Sequence, residues 1–231
     1  MENMQVISHR FNWDGIDRTK ENTIPAARFC LEQGCGIETD IRRAPDGRFY
    51  ISHDPVDLTE ANQADEFCVL FRCFPAATVA LNIKELGYES ELLRYLSNQL
   101  VKQQVFLFDM ELLEAQAGQT SMLFRKLDSE IKLAARVSDR GESIERALRI
   151  SPAEIIWLDE FDHLWVTESD IKRLKAAGKT IYTISPEIHG FSSDEMQRRW
   201  REFYYWGVDG ICTDYGVLLA QKLSSDFEDL K

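Results

Sequence analysis

Short apolar runs that end in polar or charged residues recur along the chain, separated by stretches with apolar residues three and four apart. The runs are MQVISH (4–9), GIETDI (36–41), VALNIKE (79–85), VFLFDM (105–110), LAARVS (133–138), IIWLDEF (155–161), TIYTIS (180–185) and DGICTD (209–214). Their length and β-branched content predict strands. Helices are predicted over 25–34, 88–100, 167–179, 192–207 and 216–230. The stretch from 167 opens on Thr167 with Asp170 three residues on, a variant capping box, and closes on Gly178.

Strands that read as continuous apolar runs are buried on both faces. Eight strand-then-helix units predict an α/β fold of the TIM type, a closed (β/α)8 barrel with helices outside. An open doubly wound sheet would carry a glycine-rich phosphate loop after its first strand, and HRFNWDG (9–15) is not one. One segment breaks the alternation. GIETDIRRAPDGRFYISHD holds two strand-like runs separated only by APDG (44–47), too short for a parallel crossover. An extra β-hairpin after the second strand is expected, returning His53 toward Glu38 and Asp40.

The 231 residues show no linker or low-complexity tract, so a single domain over 1–231 is expected. No apolar run approaches a membrane span, and MENMQVISHR is not a signal peptide. Five cysteines, odd in number and without metal-site spacing, suit reduced thiols in the cytoplasm. A net charge of −12 argues against a nucleic-acid partner. It leaves room for a small anion, because a pocket needs only a few local cations.

In an α/β barrel the active site lies at the C-terminal ends of the strands. Here every run ends in polar groups: His9 and Arg10, Glu38 and Asp40, Asn82 and Lys84, Asp109, Arg136 and Ser138, Asp159, Glu187, Asp214. Buried charges are costly unless paired, so packing alone does not call for the set. Glu38 and Asp40, two apart on a strand, share a face and suit Mg²⁺ or Ca²⁺; the bland alternative is a pair of surface acids on an edge strand. His9 and His53 both follow a strand as Ser-His, in VISHR and YISHD. Two imidazoles near a cation can share proton transfer, one taking and one giving. Arg10 and Lys84 would hold phosphoryl oxygens. Arg136 and Glu187 are further candidates for substrate contact. His189 either meets the substrate or sits in an exposed loop, His163 reads as structural, and Phe11, Trp13 and Trp157 read as core or pocket wall.

The signatures HR after the first strand, ENT at Glu21–Thr23, GIETDI, DG…ISHD and a third strand with Lys resemble the glycerophosphodiester phosphodiesterases, among the phospholipase C-like phosphodiesterase barrels. The resemblance is specific over 6–54 and continues more weakly to 214. It implies a phosphoric diester hydrolase of lipid metabolism acting on a small phosphodiester such as a glycerophosphodiester. It also implies His9 and His53 as the acid–base pair, Glu38 and Asp40 as metal ligands, and Arg10 and Lys84 as phosphate-binding groups. Glu21 and Asn22 would support the first histidine.

Two departures mark a divergent member. Phe11 stands where the family has glycine, and Asn82-Ile83-Lys84 stands where it has Glu-x-Lys. An Asn82 amide oxygen can still ligate a hard cation, but without charge. A catalytically weakened barrel that binds a phosphorylated ligand is therefore the alternative.

Overall fold

A computed structural model describes residues 4–149 and 152–225. Nine strands form one sheet: β1 (Gln5–His9), β2 (Gly36–Arg43), β3 (Phe49–Ile51), β4 (Val79–Ile83), β5 (Val105–Phe108), β6 (Lys132–Ser138), β7 (Ile155–Asp159), β8 (Thr180–Ile184) and β9 (Gly210–Thr213). All but β3 pair in parallel with their neighbours in chain order, and β1 pairs with both β2 and β9. That last pairing closes the eight-stranded ring of a TIM-type barrel. β3 lies outside it, antiparallel to the end of β2 with Ile41 opposite Ile51. The turn over 44–47 behaves as its chemistry predicts: Gly47 takes φ +92° and donates to the Ala44 carbonyl.

The helices are α1 (Ile24–Glu32), α2 (Ala64–Arg72), α3 (Glu89–Asn98), α4 (Gln119–Leu127), α5 (Ile144–Arg149), α6 (Glu168–Ala176), α7 (Ser193–Trp206) and α8 (Gly216–Ser225). Thr167 and Asp170 form the capping box of α6, and Ser192 and Glu195 form one on α7, which Gly207 terminates in the left-handed region. The spacing did not single out α2, α4 and α5. Of the helix expected over 216–230, residues 226–230 lie outside those described.

Alternation along the strands makes two cores. Residues of one parity, such as Val6, Ile37, Leu81, Leu107, Leu133, Ile156 and Ile211, pack outward under the helices. Residues of the other parity fill the barrel: Ile7, Ala80, Phe106, Phe108, Ala134, Ile155, Trp157, Tyr182, Ile184 and Cys212. Phe106 stacks on Tyr182 at 5.2 Å between centroids, and Phe108 meets Trp157 at 4.2 Å. Gly210 makes room for this filling, because a Cβ there would fall 2.7 Å from the Tyr182 ring. Continued toward the C-terminal end, the inward parity turns polar. Glu38 is level with Ala80, Asp40 with Asn82, Arg136 with Trp157 and Ser138 with Asp159. The barrel is thus plugged by rings below and lined with charge at its mouth.

Candidate active site

The mouth holds a cavity of about 430 Å³. Among its lining residues are His9, Arg10, Glu38, Asp40, His53, Asn82, Lys84 and Arg136. Eight of the nine candidates are therefore gathered around one space. Glu187 does not line it. Its carboxylate accepts from the hydroxyls of Ser185 and Thr213 and from the backbone N–H of Asp214, tying the loop after β8 to the end of β9. Burial pushes the Glu187 carboxyl up from its ordinary value against those hydrogen bonds.

His9 ends β1 with its ring held from behind. Nδ1 lies 2.8 Å from Asp214 Oδ1, and Nε2 lies 3.9 Å from Glu38 Oε2. Asn12 Nδ2 donates to the same Asp214 oxygen at 2.9 Å. Burial lowers the imidazole pKa, but the Asp214 hydrogen bond and the charges of Glu38 and Asp214 outweigh it, and the net shift is upward. A carboxylate at Nδ1 leaves Nε2 facing the mouth for proton exchange. His53 follows β3 by two residues and is more open, its side chain 41% exposed, with Nδ1 2.9 Å from Asp54. Its carbonyl accepts from Arg42, which fixes the loop on β2.

The ENT segment shows why these residue types sit there. Asn22 takes φ +56°, a left-handed conformation that asparagine tolerates, and accepts from the Thr39 hydroxyl at 2.8 Å. Thr23 caps α1. Glu21 reaches Arg10 at 3.6 Å. Phe11 sits at φ +69° with its ring fully buried against Phe67. The backbone keeps the conformation that favours glycine, and apolar burial offsets a strain of about 1–2 kcal/mol.

Glu38 and Asp40 are 3% and 1% exposed. Burial and the neighbouring Asp40 raise the Glu38 carboxyl to about 7, against the attraction of His9, Arg10 and Lys84. Lys84 Nζ is 2.9 Å from Asp40 Oδ1, an ion pair, and Arg10 Nε is 3.8 Å from Oδ2. Neither Asp40 oxygen has an aligned hydrogen bond, and Asn82 Oδ1 is likewise buried without a partner. Asn82 Nδ2 donates to Asp109 Oδ2 at 3.0 Å, so the amide turns its oxygen the other way. Glu85 pairs with Arg42 and accepts from the Arg43 N–H, and takes no part in the mouth.

Among the described residues no three His, Cys, Asp or Glu side chains form a metal-ligating cluster. Two carboxylates and an amide oxygen, three of their atoms orphaned in a buried site, are nevertheless hard donors of the kind Mg²⁺ or Ca²⁺ takes. The residues present fit such an ion, and Glu38, Asp40 and Asn82 would supply the oxygens to hold it.

The opposite wall is locked. Arg136 bridges Asp109 and Asp159, all three buried, and Asp159 Oδ1 is 2.5 Å from His189 Nε2. The strand-end acids were visible in the sequence, but their partners were not, because strand packing and barrel closure make the pairs. His9 and Asp214 are 205 positions apart.

The fold is the (β/α)8 barrel found in the glycerophosphodiester phosphodiesterases. Such an enzyme from Parabacteroides distasonis superposes with a TM-score of 0.74 at 16% identity, over 96% of this chain and 98% of that one. A phosphodiesterase from Oleispira antarctica, solved with the product sn-glycerol-3-phosphate, gives 0.69 at 17% identity over 96% and 97%. The glycerophosphodiester phosphodiesterase of Thermotoga maritima gives 0.64 at 17% over 96% and 99%. No protein-family model and no curated protein matches the chain. Among the described residues no helix is long and apolar enough to cross a membrane.

Proposed function

We propose that the chain hydrolyses a small phosphodiester by acid–base exchange between His9 and His53, with a divalent cation at Glu38, Asp40 and Asn82. The observation that carries this reading is the convergence of His9, Arg10, Glu38, Asp40, His53 and Lys84 on one cavity in a barrel shared with phosphodiesterases. The Oleispira enzyme's product supports a glycerophosphodiester as the substrate class. Arg10 and Lys84 bind the non-bridging oxygens. One imidazole takes the proton of the nucleophile, water or a neighbouring substrate hydroxyl, and the other protonates the leaving oxygen. Bound Mg²⁺ or Ca²⁺ supplies positive charge against the negative charge that builds in the transition state. Asp214 and Asn12 keep the His9 ring in one orientation throughout. The five free thiols, four of them buried, fit a reducing cytoplasm.

A second reading has its own observation. Lys84 and Arg10 already crowd Asp40, and Asn82 brings no charge, which favours a barrel that binds a phosphorylated ligand with weakened turnover. Hydrolysis of bis(p-nitrophenyl) phosphate separates the two. The enzyme reading expects turnover that rises with Mg²⁺ or Ca²⁺ and falls with chelator; phosphate binding with no turnover under any metal favours the second.

A further inference from the structure

Helix α4 faces the wrong way for its composition. Its buried side carries Thr120, Ser121 and Phe124, and the Ser121 hydroxyl has no hydrogen bond. Met122, Leu123 and Leu127 stay outside, 56%, 40% and 44% exposed. A surface helix ordinarily does the reverse and buries its apolar stripe. Its neighbour α3 does so with Leu92, Leu93 and Leu96, and α6 with Ile171 and Leu174. Spacing of three and four residues puts Met122, Lys126 and Leu127 with Leu123 on one face of α4.

The apolar face continues toward the barrel mouth. A short 3₁₀ turn over Met110–Leu112 packs against α4, and Leu112 and Leu113 are 55% and 41% exposed. Leu112 also lines the mouth cavity. Five of the ten large apolar side chains left exposed among the described residues thus fall within 112–127, which makes a patch out of what is usually scatter.

Charge decides what covers it. Lys126 stands on the stripe itself, and Arg146 and Arg149 share a surface groove with Met122. None of these three cations has an ion pair among the described residues. The acids nearby are engaged: Glu114 accepts from the N–H groups of Gly118 and Thr120, Glu145 pairs with Arg173, and Asp128 and Glu130 pair with Lys102. In a chain of net charge −12, this corner is left locally cationic. A second copy docked about a two-fold axis would set the three cations against their own duplicates. Protein interfaces are commonly anchored by aromatic side chains, and this face has none. An aliphatic stripe edged by Lys and Arg is instead the composition that lies in the headgroup region of an anionic bilayer.

We propose that the outer face of α4, with Leu112 and Leu113, docks the protein on an anionic lipid surface. The aliphatic side chains enter the headgroup boundary, and Lys126, Arg146 and Arg149 meet the lipid anions. Because Leu112 belongs to both patch and cavity, docking holds the barrel mouth beside the headgroups. The proposal stands whether or not the reaction proposed above does. Co-sedimentation of the full chain with phosphatidylcholine vesicles, with and without an equal part of phosphatidylglycerol, tests it. Binding to the anionic vesicles should exceed binding to the neutral ones by about 10²-fold, the worth of two or three cations near the surface, and should fall in high salt. The double variant Met122→Asp/Leu123→Asp, changed at exposed positions, should keep the wild-type melting temperature and bind about tenfold less tightly or worse. Lys126→Glu/Arg149→Glu should lose at least about tenfold on anionic vesicles alone. The second pair decides by itself if the first fails to fold. Absence of wild-type binding, equal binding to both vesicle types, or undiminished binding by the charge-reversed pair or by a folded aspartate pair overturns the proposal. So does a wild-type dimer in sedimentation velocity that the aspartate pair dissolves, which would give the face to a second copy.

Discussion

The two walls of the mouth are built from the same residue types to opposite effect. On the second and third barrel strands, Glu38, Asp40 and Asn82 are buried; Asp40 meets Lys84 and Arg10 as ion pairs without an aligned hydrogen bond, the Asn82 oxygen has no hydrogen bond, and Glu38 is pushed to about 7. On the fourth to sixth, Asp109, Arg136 and Asp159 are equally buried, yet every oxygen of both carboxylates has a partner in Arg136, Asn82 or His189. A buried polar oxygen that lacks a hydrogen bond carries a desolvation cost that a ligand can relieve. The first wall keeps hydrogen-bonding capacity that the proposed function would use, whereas the second spends its charges on itself.

Substitutions should separate the walls. The largest effect is expected on the first: His53→Ala should lower kcat for an aryl phosphodiester by about 10²–10⁴-fold, the usual share of acid–base catalysis. Its side chain is exposed, so the urea midpoint should stay in place. Arg136→Met should do the reverse. It strands two buried carboxylates, and chemical denaturation should show a loss of about 3–5 kcal/mol. An Arg136→Met protein with unchanged stability would mean that the second wall is not scaffold.

A smaller effect is expected at Glu111, beneath that wall. Its Oε1 accepts from the Arg136 N–H, its Oε2 has no partner, and burial raises its carboxyl from 4.5 to about 7. A raised carboxyl favours the folded state fully below the unfolded value of 4.5, and that contribution is lost as pH rises through 7. Glu111→Gln keeps the acceptor and removes the charge. It should stabilise the fold by about 3 kcal/mol above pH 7, with the gain shrinking toward pH 4.5. A gain independent of pH would place the cost elsewhere.

The barrel was legible because local pattern and global fold agree: each strand is an apolar run, and its inward parity turns polar at one end. The hairpin that returns His53 was legible from APDG alone. The mouth residues of β1, β2 and β4 could be read because their signatures are short and local. What could not be read depends on which strand ends become neighbours, at the closing β1–β9 seam and between consecutive strands. Asp214 behind His9, Asn12 beside it, and the Asp109–Arg136–Asp159–His189 chain join residues from distant parts of the sequence. Glu187 shows the same gap from the other side. As a strand-end acid it looked available for substrate, but the register of β8 against β9 brings Thr213 and Asp214 to it, and they consume its carboxylate. Arg136, also expected to contact substrate, lines the cavity but spends its charge on two aspartates.

The central claim, that the first wall cleaves phosphodiesters, is tested most directly by ³¹P NMR of a glycerophosphodiester with Mg²⁺, comparing the wild-type chain with His9→Ala. The account predicts conversion of the diester resonance to a monoester by the wild-type chain, slowed at least 10²-fold in the variant. Equal conversion by both proteins, or none by the wild-type chain under any divalent metal, would contradict it.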